Sequence, residues 1–184
     1  WKKISDAITA KGGGKIFGGG IPSHPHVGGA FRVAPFLRQL GSDFGGGSKV
    51  TLNTPEMIKV LTFVREMDRN IPKGIGNNPD EGPLYKMFDT DKTLGFVVNG
   101  TWQATNLEQN PQLGYCPLPL PEGGKDGNCL VGFDYYGVPK LADNKEEAFN
   151  IIRMMVDKEI NKEFVKYCRT GAPNKEIYDD PELR

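Results

Sequence analysis

The chain has 184 residues, with 23 basic and 23 acidic side chains, so its formal net charge at pH 7 is zero. This length fits one domain, or slightly more than one, with a sizeable hydrophobic core. The balanced charge argues against a nucleic-acid partner, and no run of about 20 apolar residues is present that would cross a bilayer.

The first residues predict an amphipathic helix. Four apolar residues share one helical face: Trp1, Ile4, Ala7 and Ile8. The sequence has no initiator Met, and the strand expected to precede this helix is missing. We therefore interpret the chain as a piece of a longer protein, cut at both ends.

A short strand at 15–17 leads into a Gly- and Pro-rich loop, residues 18–29, which holds both histidines of the chain. Loops of this length in compact domains are often binding loops. His24 and His26 could ligate a metal, but no third ligand lies near them in the sequence. We favour histidines that form hydrogen bonds or face solvent.

Two helices and a glycine-rich loop follow. Residues 30–40 have helical spacing of their apolar residues, including Phe31, and end before Gly41. The segment 45–49 lacks the residue order of a phosphate-binding loop, and we expect a surface hairpin or loop. The second helix runs from Thr54, the expected N-cap, to residue 69. Its predicted apolar face comprises Met57, Ile58, Leu61, Val64 and Met67.

The segment 84–108 predicts a short helix, a buried strand, a tight turn and another helix. Residues 94–98 are apolar and favour a strand, Asn99-Gly100 suits a turn with positive φ, and Thr101 can cap the helix that follows. Trp102 would then lie at a strand end, where ligands dock in α/β sheets. Its indole suits the apolar face of a sugar ring. The alternative is that Trp102 fills the core.

A second aromatic cluster lies further along the chain. After an extended proline-rich segment and a turn at 122–127, a strand at 129–133 is predicted to run into Asp134 and Tyr135. Asp134 could accept hydrogen bonds from sugar hydroxyls while Tyr135 stacks; alternatively, the tyrosines are structural residues of a strand. Cys116 and Cys129 either pair across a hairpin or remain free thiols.

The last residues predict two helices, 145–158 and 160–167, stopped by Gly171-Ala172-Pro173. We expect residues 174–184 to form a polar, peripheral tail. The first of these helices has one apolar face: Ala148, Ile151, Ile152, Met155 and Val156.

These elements, in this order, resemble the extracellular solute-binding proteins of ABC sugar importers, of the maltose-binding-protein type, and specifically their C-terminal half. The resemblance covers nearly the whole chain. It rests on six features in chain order. They are a helix that begins at Trp1, a helix that opens at 52–56, the segment 88–102 that ends in Asn-Gly-Thr-Trp, the Pro-Leu-Pro of 117–119 before a Gly turn, the segment 132–137 that begins and ends with Gly, and the helix that contains the Glu-Glu-Ala of 146–148. It implies an α/β fold, a periplasmic-binding-protein-like (type II) lobe with a mixed sheet flanked by helices. Residues 1–137 would form this lobe, and residues 138–184 would be returning helices that pack toward the other lobe.

The resemblance implies a binding protein rather than an enzyme, with no cofactor. It would capture a sugar or oligosaccharide in a cleft between two lobes and deliver it to an ABC transporter permease. The other partner would be the missing N-terminal lobe of the same protein. The location would be periplasmic, or extracellular as a membrane-anchored lipoprotein of a Gram-positive host. Together with the patterns above, it gives these candidate ligand-binding residues: Trp102, Phe31, His24, Asp134, Tyr135 and Gly132.

Three alternatives remain open. One is a binding protein of the same fold for a solute other than a sugar. Another is a glycan-acting enzyme domain, which would need two carboxylates at a fixed spacing. The third is an interaction domain without a small-molecule ligand, in which Trp102 and Tyr135 are core residues.

Overall fold

The computed structural model describes residues 1–46, 48–125 and 129–183. The predicted turn at 122–127 therefore lies partly outside the described residues. Two compact units make up the chain. The first consists of Trp1–Asn99 and Tyr115–Val131, and the second of Gly100–Gly114 and Gly132–Arg184. The chain thus passes between the units three times.

In the first unit, most of the regular structure of the described residues is helical. Its helices are α1 (Lys2–Lys11), α2 (Val27–Gln39), α3 (Pro55–Met67) and α4 (Gly82–Asp89). Two short strands, β1 (Gly45–Gly46) and β2 (Lys49–Val50), pair antiparallel. Both strands are exposed, which agrees with the predicted surface hairpin, although Gly47 lies outside the described residues.

Helix α3 begins where the local sequence predicts. The Thr54 hydroxyl accepts a hydrogen bond from the Met57 N–H at 3.1 Å, and Pro55 occupies the first turn, where a backbone N–H would have no partner within the helix. A 3-10 turn, Asp68–Asn70, follows the helix.

The core of the first unit forms where α2 packs against α3. The face predicted for α3 is wrong at two positions, because Ile58 and Leu61 are 58% and 51% exposed whereas Val60 is 3% exposed. The apolar stripe of α3 is wider than the surface that covers it, so only one edge of the stripe is buried. The buried core comprises Ile21, Val33, Phe36, Leu37, Met57, Val60, Val64, Met67 and Val98.

The strands predicted at 15–17 and 94–98 pair over a much shorter length than expected. Phe17 pairs with Leu94, and Gly20 with Val97, each as an isolated parallel bridge. Leu94 joins a second, smaller apolar cluster with Ile71 and Leu84. The glycines at 18–20 have no side chains to pack on a sheet, which limits how far this pairing extends.

The predicted face of helix α1 is wrong at two of its four positions. Ser5 is fully buried, whereas Ile4 is 62% exposed and Ala7 is exposed. The reason is a close approach of the backbone: a side chain at Gly18 would overlap Ser5. Only a small residue fits on that side of α1, so Ile4 and Ala7 face outward, whereas Trp1 and Ile8 remain partly buried.

Helices also form most of the second unit. A 3-10 turn (Thr101–Gln103) leads into α5 (Ala104–Glu108), and α6 (Lys145–Met155) and α7 (Lys158–Cys168) follow. Helix α7 ends at Cys168, one residue beyond the predicted end, and Arg169, with φ of 53°, is its C-cap residue. The Asn161 side chain donates to the carbonyls of Met155 and Asp157 at 2.8 and 2.9 Å, which fixes the turn between α6 and α7.

The apolar side chains of α6 and α7 are largely exposed. Within these two helices only Asn161 is buried. The exposed fraction lies between 41% and 76% for Phe149, Ile151, Met154, Met155, Ile160, Phe164 and Tyr167. The two helices match the predicted ones to within three residues at each end, and their packing toward another lobe stays a prediction.

The tail is tied to α7 rather than peripheral. Ile177 is 1% exposed, and two 3-10 turns, Lys175–Asp179 and Pro181–Leu183, pack on α7. Lys162 contacts Asp180 at 2.5 Å, and Lys166 contacts Glu182 at 2.6 Å. Of the predicted tail, Arg184 lies outside the described residues.

Two further expectations can be compared with the described residues. All three cysteines are free thiols, and Cys116 and Cys129 are exposed, so the predicted alternative of a disulfide is not realised. In the described part of the chain, no helix has both the length and the apolar character that a membrane span requires.

Candidate functional site

Trp102 lies on the surface of the second unit. Its side chain is 47% exposed, so it does not fill the core. It occupies the middle of the 3-10 turn, which is closed by a hydrogen bond from the Gln103 N–H to the Gly100 carbonyl at 3.1 Å. A short turn therefore presents a large aromatic ring, as a stacking site requires.

The local structure before Trp102 differs from the prediction. Gly100 has φ of −106° and ψ of 174°, which is extended backbone, so the predicted positive-φ turn is wrong. Gly100, not Thr101, is the N-cap residue, and no side chain caps the turn. The backbone is thus extended at Gly100 and enters the 3-10 turn at the next residue, Thr101.

The segment 132–135 is exposed and has no regular secondary structure. Tyr135 is 90% exposed and Phe133 is 63% exposed, and the predicted strand at 129–133 is absent from its described residues. No neighbouring strand supplies backbone partners to this segment in the described structure, so its strand-favouring residues do not form a strand. Gly132, Asp134 and Tyr135 all face solvent in the second unit, which argues against a core role for the tyrosine.

His24 lies in a buried polar cluster of the first unit. It is 3% exposed, and its Nε2 lies 3.9 Å from the Glu81 Oε1. Arg32, which is 6% exposed, forms an ion pair with Glu81. The Arg32 guanidinium also donates to the Gly28 carbonyl at 2.8 Å and to the Asn99 Oδ1 at 3.1 Å. The cluster therefore connects three parts of the first unit: the loop 18–29, the residue before α4 (Glu81) and Asn99, where the chain first leaves the unit.

The electrostatics of this cluster centre on Arg32. Burial lowers the pKa of its guanidinium, and the charge and hydrogen bond of Glu81 oppose that shift. A guanidinium remains charged in proteins, so Glu81 supplies the counter-charge that a buried cation requires.

The two histidines have structural roles in the described residues. His26 precedes α2, and its Nδ1 accepts a hydrogen bond from the Gly28 N–H at 3.3 Å. The His24 and His26 rings stack, with their centroids 5.7 Å apart. No group of three metal-ligating side chains occurs among the described residues. The hydrogen bond that we favoured is found for His26, which is exposed, whereas the buried Nδ1 of His24 has no hydrogen-bond partner in the described structure.

The predicted site residues thus fall into two groups. His24 and Phe31, the latter half-buried, belong to the first unit. Gly132, Trp102, Asp134 and Tyr135 belong to the second. Sequence reasoning missed Arg32 and Glu81, although one signal was available: Arg32 is the single charged residue within the otherwise apolar stretch 27–37.

Two solved structures resemble the whole chain. The first is maltose-bound MalE3 from T. maritima, with a TM-score of 0.74 and 20% sequence identity. The second is an ABC transporter solute-binding protein from Thermotoga lettingae TMO bound with α-D-tagatose, with a TM-score of 0.68 and 17% identity. Each match covers 100% of this chain, which spans only 49% and 48% of those two chains.

These likenesses confirm the predicted fold class, a lobe of the type II periplasmic binding proteins, with a smaller sheet than expected. The chain spans about half the length of the structures it matches. The family model described as bacterial extracellular solute-binding protein matches residues 1–184. The chain therefore belongs to the bacterial extracellular solute-binding protein family.

Proposed function

We propose that this chain is the C-terminal lobe of a sugar-binding subunit of an ABC transporter. The sugar or oligosaccharide would bind in a cleft that the other half of the family's fold completes, and closure would present the protein to a membrane permease. The observation that carries this proposal is the exposed indole of Trp102, held by a short turn in a member of a solute-binding family.

The chemistry of the other candidate residues supports a carbohydrate ligand. An exposed aromatic face buries the C–H face of a sugar ring without leaving a polar group unsatisfied. The Asp134 carboxylate accepts hydrogen bonds from hydroxyl groups, and the Tyr135 hydroxyl both donates and accepts. Gly132, which has no side chain, lets a ligand approach the backbone. Both structural neighbours were solved with a sugar bound.

The residues of the first unit would act in two ways. Phe31, half-buried at the start of α2, would offer a second aromatic face. His24, at 3% exposure, would support the loop 18–29 from beneath rather than contact the sugar directly. We propose no cofactor and no turnover, since the family and both neighbours are binding proteins. Anchoring as a lipoprotein in a Gram-positive host belongs to the same proposal.

Titration calorimetry of the protein in its full natural length, with maltose and tagatose as first probes, tests this role. We expect Trp102→Ala to weaken sugar binding at least about tenfold, because stacking and apolar burial are lost together. Tyr167→Ala in α7 is the matched control, since it also removes an exposed aromatic ring from the second unit.

The two variants separate the possible roles of Trp102. Trp102→Ala should keep the thermal midpoint of the unaltered protein, as the ring is half exposed. Loss of stability by several kcal/mol would instead mark the ring as a packing residue. Sugar affinity that is equal in Trp102→Ala and Tyr167→Ala would contradict the proposed site.

A further inference from the structure

Gly100 lies directly against the ring of Trp102. A methyl group at Gly100 would overlap three carbons of the six-membered ring, Cε3, Cζ3 and Cη2. The indole therefore folds back over the residue two positions before it. The same glycine closes the turn, because its carbonyl accepts the hydrogen bond from the Gln103 N–H.

The backbone does not explain why this residue is glycine. Its φ of −106° and ψ of 174° are accessible to every amino acid. The six glycines with φ in the left-handed region, among the described residues, do not include Gly100. The space occupied by the indole is thus what excludes a side chain at this position.

We propose that Gly100 is a positioning residue, which sets the orientation of the Trp102 indole and thereby the affinity for the ligand that stacks on it. Only the claim about ligand affinity rests on the proposed function. The first half, that Gly100 fixes the ring, concerns the protein without ligand. Any side chain at Gly100 would turn the indole into another rotamer and withdraw the stacking face.

Gly100→Ala tests the proposal, and Gly114→Ala is its matched control. Gly114 is exposed in the same unit, and a methyl group there would meet no atom within 4 Å. Both changes reduce the freedom of the unfolded chain in the same way, and Ala is unstrained at the φ and ψ of Gly100. We expect the two variants to have the same thermal midpoint, equal to or slightly above that of the unaltered protein.

Fluorescence reports the ring without any ligand. The chain has two tryptophans, and Trp1 stacks on Phe96 in the first unit with the ring centroids 4.5 Å apart. A Trp1→Phe background keeps an aromatic ring there and leaves Trp102 as the sole emitter. In this background we expect Gly100→Ala, but not Gly114→Ala, to shift the emission maximum and change quenching by iodide.

Titration with the sugar that binds the unaltered protein tests the second half. Gly100→Ala should weaken binding about tenfold, comparable to the loss of one stacking contact. In a Trp102→Phe background, which removes the fused ring system that overlaps the methyl group, Gly100→Ala should weaken binding less than about twofold. This non-additivity is the signature of two residues that act through one contact.

The outcomes separate this proposal from the proposed function. If no sugar binds but Gly100→Ala changes the emission, the proposed function fails and the positioning role of Gly100 stands. If Gly100→Ala matches Gly114→Ala in emission and affinity, the positioning role is wrong. If Gly100→Ala lowers the thermal midpoint, an equal loss of affinity in the Trp102→Phe background would also overturn it, because the effect would then be structural.

Discussion

Replacing Glu81 by Gln tests the buried cluster of His24, Arg32 and Glu81, which links the loop 18–29 to Asn99. The Arg32 and Glu81 side chains are 7% and 25% exposed. Glu81→Gln removes the counter-charge but leaves Arg32 with the Gly28 carbonyl and the Asn99 amide oxygen as neutral acceptors. The buried guanidinium of Arg32 would then lose the charge of Glu81.

The magnitude follows from the burial of the pair. Breaking a fully buried ion pair by removing one partner costs about 3–5 kcal/mol. Because a quarter of Glu81 reaches solvent, screening lowers the expected loss to about 2–3 kcal/mol. For a chain of this size each kcal/mol shifts the thermal midpoint by about 2–4 °C, so the midpoint should fall by about 4–12 °C.

Denaturation by urea at pH 7, followed by circular dichroism, measures this loss. The control is Asp91→Asn, which breaks the exposed pair of Lys86 and Asp91, 3.2 Å apart, and should cost less than about 1 kcal/mol. The double variant Arg32→Met with Glu81→Gln should recover part of the stability lost in Glu81→Gln, since the uncompensated charge is gone. Equal losses for Glu81→Gln and Asp91→Asn would refute the reasoning.

Three further outcomes are expected. Met67→Ala should lower the free energy of unfolding by about 2–5 kcal/mol, because Met67 is fully buried, whereas Ile58→Ala should lower it by less than about 0.5 kcal/mol. Similar losses for the two variants in urea denaturation would mean that α3 packs on another face. A hydrogen bond from Lys162 lowers the pKa of Asp180, and one from Lys166 lowers the pKa of Glu182. These contacts therefore stabilise the fold fully above the ordinary carboxyl pKa of about 4. The stabilisation is lost as the pH falls through the lowered pKa values. The urea midpoint should therefore drop between pH 7 and about pH 3, and the drop should be smaller in Asp180→Asn with Glu182→Gln; an unchanged drop would count against the pairing. Cys116 and Cys129 should both alkylate in the native protein; a mass lower by two hydrogen atoms, with no alkylation, would reveal a disulfide instead.

The helices could be predicted because their signals are local. Thr54 and Pro55 define the start of α3 within one turn, and Gly41, with φ of 79°, follows the end of α2 as a glycine commonly does. The order of such elements was also enough to indicate the fold class. Neither signal depends on residues distant in the sequence.

Burial and pairing could not be predicted, because they depend on distant residues. Ser5 is buried through its close approach to Gly18, and the apolar pattern of α1 gave no sign of that contact. The strand-favouring segment at 94–98 pairs only through two bridges, since its partner segment is rich in glycine. Arg32 is neutralised by Glu81, 49 residues further along the chain.

The candidate site shows the same division. The indole of Trp102 was identified from its residue type and its place after a strand, and the structure shows that it is exposed. The reason for the glycine before it was misjudged, because positive φ is the commoner use of Asn-Gly. The contact between Gly100 and the ring depends on a side-chain rotamer, which a sequence pattern does not specify.

A thermal-shift screen of the protein in its full natural length, against mono- and oligosaccharides, peptides, polyols and metal ions, tests the central claim most directly. A ligand that binds only the native state adds about 2.7 kcal/mol of stability at 100 times its dissociation constant, which is a readily measured shift. We predict that a sugar raises the midpoint and that Trp102→Ala removes the shift. A rise produced only by peptides, polyols or metal ions, or by none of the ligands, would contradict the assignment of a sugar as the ligand while leaving the family and fold unchanged.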